Sequence, residues 1–381
     1  MNWNRRSVGL WALLGTCAVT FLGGCTLFGP RLAMDPRRAR IDARTALYQA
    51  ADDPDVATRV HGIEAMAEVL GERASGVFVQ NLDDASPVVR FAAAMAIGDI
   101  RHAQVKPKLL VMAGKGEPNK LVFIAVAYAL ARLDCLSSAA GTELGKMLTD
   151  QEKDVRGQVA LVMGKMGEVS AIAFLKAVLE DEREPMVRLQ IIESLAMLGD
   201  ERSASVLEAF TKSQFMDERL VAIPAMAKAR YRRAPIILRG LLDDRQPPPV
   251  RVAAAGALAM LGEVDGSGYL FCVSAAKDPQ RVLASAYGGA RQVTPTDVTS
   301  LQGLAAISLG WMKQEGAVQV LHPLLQSKEG GVRVAAAMAI LRLLGTDDLE
   351  ATRPGRTGRP GSEDSSAPPK TPKLRTAGGK D

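Results

Sequence analysis

The side chains able to do chemistry are few, and their spacing does not suit it. Three histidines occur, His61, His102 and His322. None has a second histidine or a cysteine at metal-ligand spacing, so each reads as an exposed or locally satisfied helix residue rather than a zinc or copper ligand. Of four cysteines, Cys17 and Cys25 fall in the N-terminal segment, and Cys135 and Cys272 in the body. The body pair lies far apart along a linear chain of segments, so two buried thiols are expected and a disulfide is not. No nucleophile elbow, phosphate-cradling glycine loop or pair of metal carboxylates is present. The expectation is a chain that is not an enzyme, with no catalytic residue, metal, cofactor or small-molecule substrate.

Cys25 is the cysteine in a reactive context. Met1 to Ser7 carries Arg5 and Arg6 and no acid, Val8 to Leu22 is uncharged and mostly apolar, and Leu22-Gly23-Gly24-Cys25 follows. A basic start, a short apolar run and small residues before a cut site make an export signal. The run is shorter than the roughly 20 residues a membrane-spanning helix needs. The last four residues resemble the bacterial lipobox, whose cysteine thiol is acylated and whose leader is cleaved just before that cysteine. That resemblance implies a signal peptide over 1–24 and a lipid on Cys25. It also implies a body tethered to the cell membrane or outer membrane on the periplasmic or extracellular side. Thr26, where an aspartate would favour retention, resembles the outer-membrane address. Residues 25–44, with Gly29, Pro30 and Pro36 among Arg31, Arg37, Arg38 and Arg40, read as a tether whose arginines could touch anionic headgroups.

The body must supply whatever surface such a tether presents. Hydrophobic residues are 48% of the chain but aromatics only 4%, so alanine, leucine, valine and methionine have to fill the core, which suits closely packed helices. VRFAAAMAIGDI from Val89, VRGQVALVMGKMGE from Val155, VRLQIIESLAMLGD from Val187, VRVAAAGALAMLGE from Val250 and VRVAAAMAILRLLG from Val332 are variants of one helix. In the Val250 copy, Val250, Ala254, Ala257, Leu258 and Leu261 form one apolar face at helical spacing. Gly167, Gly199, Gly262 and Gly345 are natural stops, since glycine accepts a left-handed backbone readily. Equivalent positions are Arg59, Arg90, Phe123, Arg156, Arg188, Arg219, Arg251, Gln302 and Arg333. Successive positions lie 31 to 33 residues apart except between Arg251 and Gln302. A second amphipathic helix follows each copy, as in AIAFLKAVLEDE from Ala171 and APIILRGLLDD from Ala234. One helix pair cannot bury its apolar face alone, so neighbours must stack. The fold class is therefore all-α, a right-handed α-α superhelix of about nine helix pairs over residues 45–350.

This pattern resembles the HEAT-like repeats first associated with phycobilin lyases. The resemblance implies that Arg90, Arg156, Arg188, Arg219, Arg251 and Arg333 form a structural ladder, each meeting an acid of the preceding turn. Candidates are Asp83 or Asp84 for Arg90, Asp154 for Arg156, Asp181 for Arg188, and Asp243 or Asp244 for Arg251. At Phe123 the arginine is absent, and the turn before it, GKGEPNK, also lacks aspartate. The resemblance also names a bilin lyase or isomerase. An exported chain lies outside the compartment of that chemistry, and the repeat alone does not specify it.

Two segments depart from the pattern. Near 264–300 an insertion should hold helices over Gly266–Ala276 and Pro279–Ala290 and a polar loop over Arg291–Ser300. Tyr269, Phe271 and Tyr287 concentrate aromatics there, either as interface anchors or as core. Residues 351–381 are rich in Pro, Gly and Ser and read as a disordered basic tail, suited to an acidic partner or envelope polymer. Without leader and tail the body holds 38 basic and 39 acidic residues, a balance that excludes the electrostatic footprint of a nucleic-acid binder. The expected function is a lipid-anchored scaffold offering a curved surface, lined by the second helices, to a protein partner. An assembly role in an envelope complex and binding of a polymer are the alternatives.

Overall fold

The computed structural model describes residues 34–114 and 117–346. The signal peptide, Cys25 and the tail fall outside those residues. Among the described residues there are 19 α-helices and no strand. Numbered in chain order, the helices of the arginine register, called arginine-bearing although α6 has Phe123 and α17 has Gln302 there, are α2 (Val56–Val69), α4 (Pro87–Ile100), α6 (Lys120–Arg132), α8 (Lys153–Met166), α10 (Pro185–Met197), α12 (Met216–Lys228), α14 (Pro248–Met260), α17 (Pro295–Trp311) and α19 (Gly330–Leu344). Between them run α3 (Ser75–Asn81), α5 (Lys106–Gly114), α7 (Ser138–Lys146), α9 (Ala171–Asp181), α11 (Glu201–Phe210), α13 (Ala234–Gly240), α15 (Gly266–Lys277), α16 (Pro279–Tyr287) and α18 (Val318–Leu321).

Local chemistry sets where these helices begin and end. Asp55, Asn119 and Asp200 cap α2, α6 and α11 by accepting from the amides of Thr58, Val122 and Ser203. Pro87, Pro185 and Pro248 supply the fixed φ of a first turn. At the other end the chain turns left-handed eleven residues beyond the arginine position, at Gly167 (φ 80°), Gly199 (93°) and Gly262 (87°).

The arginine-bearing helices pack side by side in sequence order, and the intervening helices cover them from the other side. Lys165 of α8 donates to Asp99 of α4 at 2.9 Å, reaching past α6, so the arginine-bearing helices line the concave side. Glu64 of α2 sits on the same wall. It retains accessible surface, yet desolvation by the surrounding protein raises its carboxyl pKa, while His61 and Lys165 oppose that rise. The second helices therefore form the outer layer.

The array is not linear. α19 packs against α2 as any two successive inner helices do, and the helix α1 (Pro36–Ala51) takes the outer place between them. His322 Nε2 lies 3.0 Å from Asp42, Arg333 donates to Asp53 at 3.1 Å, and Arg40 donates to the Leu344 carbonyl at 3.2 Å. Arg342 pairs with Glu68 across the same seam. One apolar core runs through it, holding Ala39 of α1 and Leu341 of α19 together. The chain is thus a closed ring of nine helix pairs.

Closure corrects two expected boundaries. The tether over 25–44 stops short, because Pro36–Ala51 is α1. Asp35 caps it, and Ala39, Ala43, Leu47 and Ala50 give it a fully buried small-residue face. The polar loop expected over 291–300 is also shorter. Thr294 and Asp297 form a capping box that starts α17 at Pro295.

Leu47 is completely buried beneath the seam. Leu47→Ala is expected to destabilise the fold by about 3 kcal/mol in urea denaturation, the usual cost of a cavity in a tight core. A loss below about 1 kcal/mol would mean that α1 contributes little to closure.

Candidate functional site

The conserved geometry of the ring is its arginine rung, and it differs from the expected one. Arg59, Arg90, Arg156, Arg219 and Arg333 each reach back to at least one main-chain carbonyl of the preceding turn and forward to a side chain of the next turn, whereas Arg188 reaches back only. Arg90 donates to the carbonyls of Asp84 (2.9 Å) and Ala85 (3.2 Å), then to Glu117 (3.2 Å). Asp84, expected to meet Arg90, instead receives Arg59 at 3.3 Å. Arg156 takes the carbonyls of Asp150 and Gln151 and forks onto Glu182 at 2.6 and 3.1 Å, leaving Asp154 exposed. Arg188 donates to the carbonyls of Leu179 and Glu182, both at 2.8 Å, rather than to Asp181. Arg219 bridges the Thr211 carbonyl and Gln246. Arg333 takes the carbonyls of Ser327 and Lys328 and ends on Asp53, so the ladder joins its own beginning. The reason is geometric. The nearby carbonyls lie in the turn between outer and inner helix or at the C-terminal end of the outer helix, within reach of a bent guanidinium, which leaves its outer nitrogens facing the neighbouring repeat.

Three rungs are modified. Arg251 makes no acid contact; its guanidinium lies 3.7 Å over the ring of Phe271, and its Nε lacks a hydrogen-bond partner. Gln302 donates to the Ala276 carbonyl at 2.9 Å. At Phe123 the rung is replaced by Lys120, which holds both Asp150 and Glu152 at 2.9 Å. The turn before Phe123 is not bare of acid, because its Glu117 serves Arg90.

The insertion aromatics are part of this packing. Tyr269, Phe271 and Tyr287 are partly buried against the main core, Phe271 under Arg251 and Tyr287 beside Arg291 at 5.2 Å. The exposed apolar residues there are Leu270, 63% accessible, and Val264, 42%, which sequence spacing did not single out. Leu270 belongs to a set on the outer helices: Val111 (50%), Phe174 (54%), Val206 (37%) and Ile236 (73%). Phe174 and Val206 each fall eighteen residues beyond their rung arginines, Arg156 and Arg188. Beside Phe174 an open groove of about 1300 Å³ separates α7 from α9. On the α7 side it is lined by the small residues Ser138, Gly141, Thr142 and Gly145, together with Lys146.

Elsewhere the chemistry is quiet. Cys272 is buried and its thiol is pushed up to about 12 by desolvation, while Cys135 is partly exposed and donates to the Leu133 carbonyl. His102 pairs with Glu72 at 2.5 Å, and His322 belongs to the seam. Among the described residues no group of three potential metal ligands is assembled, and no helix is long and apolar enough to cross a membrane.

A profile of HEAT repeats matches residues 141–227. A protein of Pseudanabaena tenuis (strain PCC 7409), called uncharacterized phycocyanin operon protein Z, is 26% identical over 176 residues, which span 45% of this chain and 86% of that protein. Among solved structures, the complex of CpcE and CpcF of phycocyanin lyase from Nostoc sp. PCC7120 aligns at 15% identity and a TM-score of 0.39, covering 72% of this chain and 99% of that one. Human deoxyhypusine hydroxylase aligns at 15% identity and a TM-score of 0.32, covering 81% and 99%. The likeness to a phycocyanin operon protein overturns the expectation that the chain is not an enzyme, which rested on the lack of a catalytic motif in the sequence.

The rungs predict unequal costs. Arg156 and Glu182 are 16% and 4% exposed, so Arg156→Ala strands a buried carboxylate and is expected to cost about 3 kcal/mol by denaturation. Lys146→Ala, which removes an exposed pair with Glu143, should cost under about 0.5 kcal/mol. The Arg156 guanidinium holds the Glu182 carboxyl below its usual range. Stability from this rung is therefore present above the ordinary carboxylate pKa of about 4.3 and lost as pH falls through the lower folded value. Glu182→Gln should flatten that acid limb, and an unchanged limb would remove the rung from the pH dependence. This rung recurs through the helix pairs, and residues 141–227 among them match the profile of HEAT repeats.

Proposed function

We propose that the ring is a protein-binding scaffold, exported and held to the cell membrane or outer membrane through lipidated Cys25. The observation that carries the binding role is the row of exposed apolar side chains on the outer helices, with Phe174 beside the open α7–α9 groove. Large exposed apolar residues that recur on one layer of a repeat protein favour association over solvation. The address is supported by Arg5 and Arg6, the Val8–Leu22 run and Leu22-Gly23-Gly24-Cys25. The partner binds the outer wall, where the second helices lie, and the inner wall serves closure. An assembly role within an envelope complex is the same activity at fixed stoichiometry.

The test is in-cell photocrosslinking with a reactive residue placed at Phe174 or Ile236, and at Ile307 on an inner helix as control. One dominant protein adduct from the outer positions, absent from Ile307, is the expected result. Equal or absent adducts would sink the binding reading. Separately, Cys25→Ser should abolish incorporation of labelled palmitate and release the chain from membranes; continued labelling would rule out Cys25 as the lipid site.

A second reading is favoured by the relative from the phycocyanin operon. In it the scaffold's partner is phycocyanin and the chain assists a lyase reaction. Co-elution with phycocyanin and a change in its visible absorption on mixing would support this; neither occurring would reject it.

A further inference from the structure

The left-handed position after each inner helix is filled in two ways. Glycine occupies it at Gly167, Gly199 and Gly262, but Arg101, Asp134, Arg230 and Lys313 occupy it after α4, α6, α12 and α17, with φ of 54°, 56°, 50° and 52°. This backbone disfavours any side chain with a Cβ. Three of these four residues are cations, each exposed and without an ion pair among the described residues. Strain retained where glycine serves in sister repeats points to a use for the charge.

All of these residues lie on one face of the ring. Successive inner helices run parallel, because each pair is joined through an outer helix running back, so their C-terminal ends share a face. α1 starts on that face, with Arg37 and Arg38 exposed and Arg38 paired with Asp42 at 3.0 Å, and α19 ends there, its Leu344 carbonyl accepting from Arg40. Arg232 stands exposed next to Arg230. Several acids of this face are engaged by neighbouring side chains. Asp99 accepts from Tyr128 and Lys165, Asp200 from Lys176 and Ser203, and Glu263 from Arg239. Others, Glu201 and Glu315, lie in first helical turns, where an acid complements the helix dipole.

We propose that this face docks on anionic lipid headgroups through Arg37, Arg38, Arg101, Arg230, Arg232 and Lys313. The proposal rests on the reading of Cys25 as the anchor. Cys25 precedes Pro36 by eleven residues, so an anchored chain holds this face within about 40 Å of the bilayer. Cations displayed on a rim at that range gain from the surface potential of an anionic leaflet.

The test uses the full chain carrying Cys25→Ser, so that lipid attachment plays no part, with phosphatidylcholine vesicles that contain or lack phosphatidylglycerol. Binding should need phosphatidylglycerol and weaken with salt. The triple variant Arg101→Gly, Arg230→Gly, Lys313→Gly relieves strain, so it should melt higher than the parent. It should also bind the anionic vesicles on the order of 100-fold more weakly, from about five-fold per cation. Asp134→Gly relieves the same strain and removes an acid, so it should melt higher and bind more tightly. Equal binding of parent and triple variant, or equal binding to both vesicle types, overturns the proposal. Neither outcome bears on Cys25, whose acylation is read by palmitate labelling.

Discussion

The structure depends on a single interaction repeated around a circle: a guanidinium that ties the turn before its own helix to the turn of the next repeat. At Arg156 the tie is a fork onto a nearly buried carboxylate, and at Arg333 it crosses from the last helix to Asp53 near the first. A rung of this kind fixes the offset between neighbours as well as holding them together. Nine successive offsets that return to the starting helix make a ring, and a ring has no exposed terminal repeat. Open repeat arrays need polar caps on their end helices. Here α1 and α19 cap one another.

Closing nine inner helices on a short radius also demands that they approach closely, and the small side chains answer that demand. A Cβ on Gly98 would lie 2.7 Å from the Tyr128 ring, one on Gly164 would lie 2.8 Å from Ser194 Cα, and one on Gly310 would lie 2.8 Å from Ala339 Cα. Those distances leave no room for even one added methyl group. The alanine-rich, aromatic-poor composition is thus a property of the inner layer. The outer layer, on a longer circumference, is spaced widely enough to leave the α7–α9 groove and to expose Phe174 and Ile236.

The same division organises function. The inner wall is occupied with closure, through contacts such as Lys165 with Asp99 and Tyr128, the latter 5.2 Å from the ammonium. The outer wall carries apolar side chains without partners, and the face at the C-terminal ends of the inner helices carries cations in strained backbone. Three surfaces of different chemistry on one rigid ring suit a scaffold that meets different neighbours on different sides.

The sequence by itself determined the local structure. The helix period, the 31-to-33-residue recurrence and the glycine stops are properties of adjacent residues, and they specified helix pairs stacked in order. They also located every rung, including the altered ones at Phe123 and Gln302. Only the tertiary structure decided which acid each arginine meets, because Asp84 is close to Arg90 in sequence but packs in the path of Arg59. It decided too that Pro36–Ala51 is the ninth outer helix, that Phe271 lies under Arg251, and that left-handed turns fall at Arg101, Asp134, Arg230 and Lys313. Above all it decided closure. Whether a repeat array opens or returns on itself depends on the small rotation between successive pairs summed over the whole chain, and no local pattern of residues carries that sum.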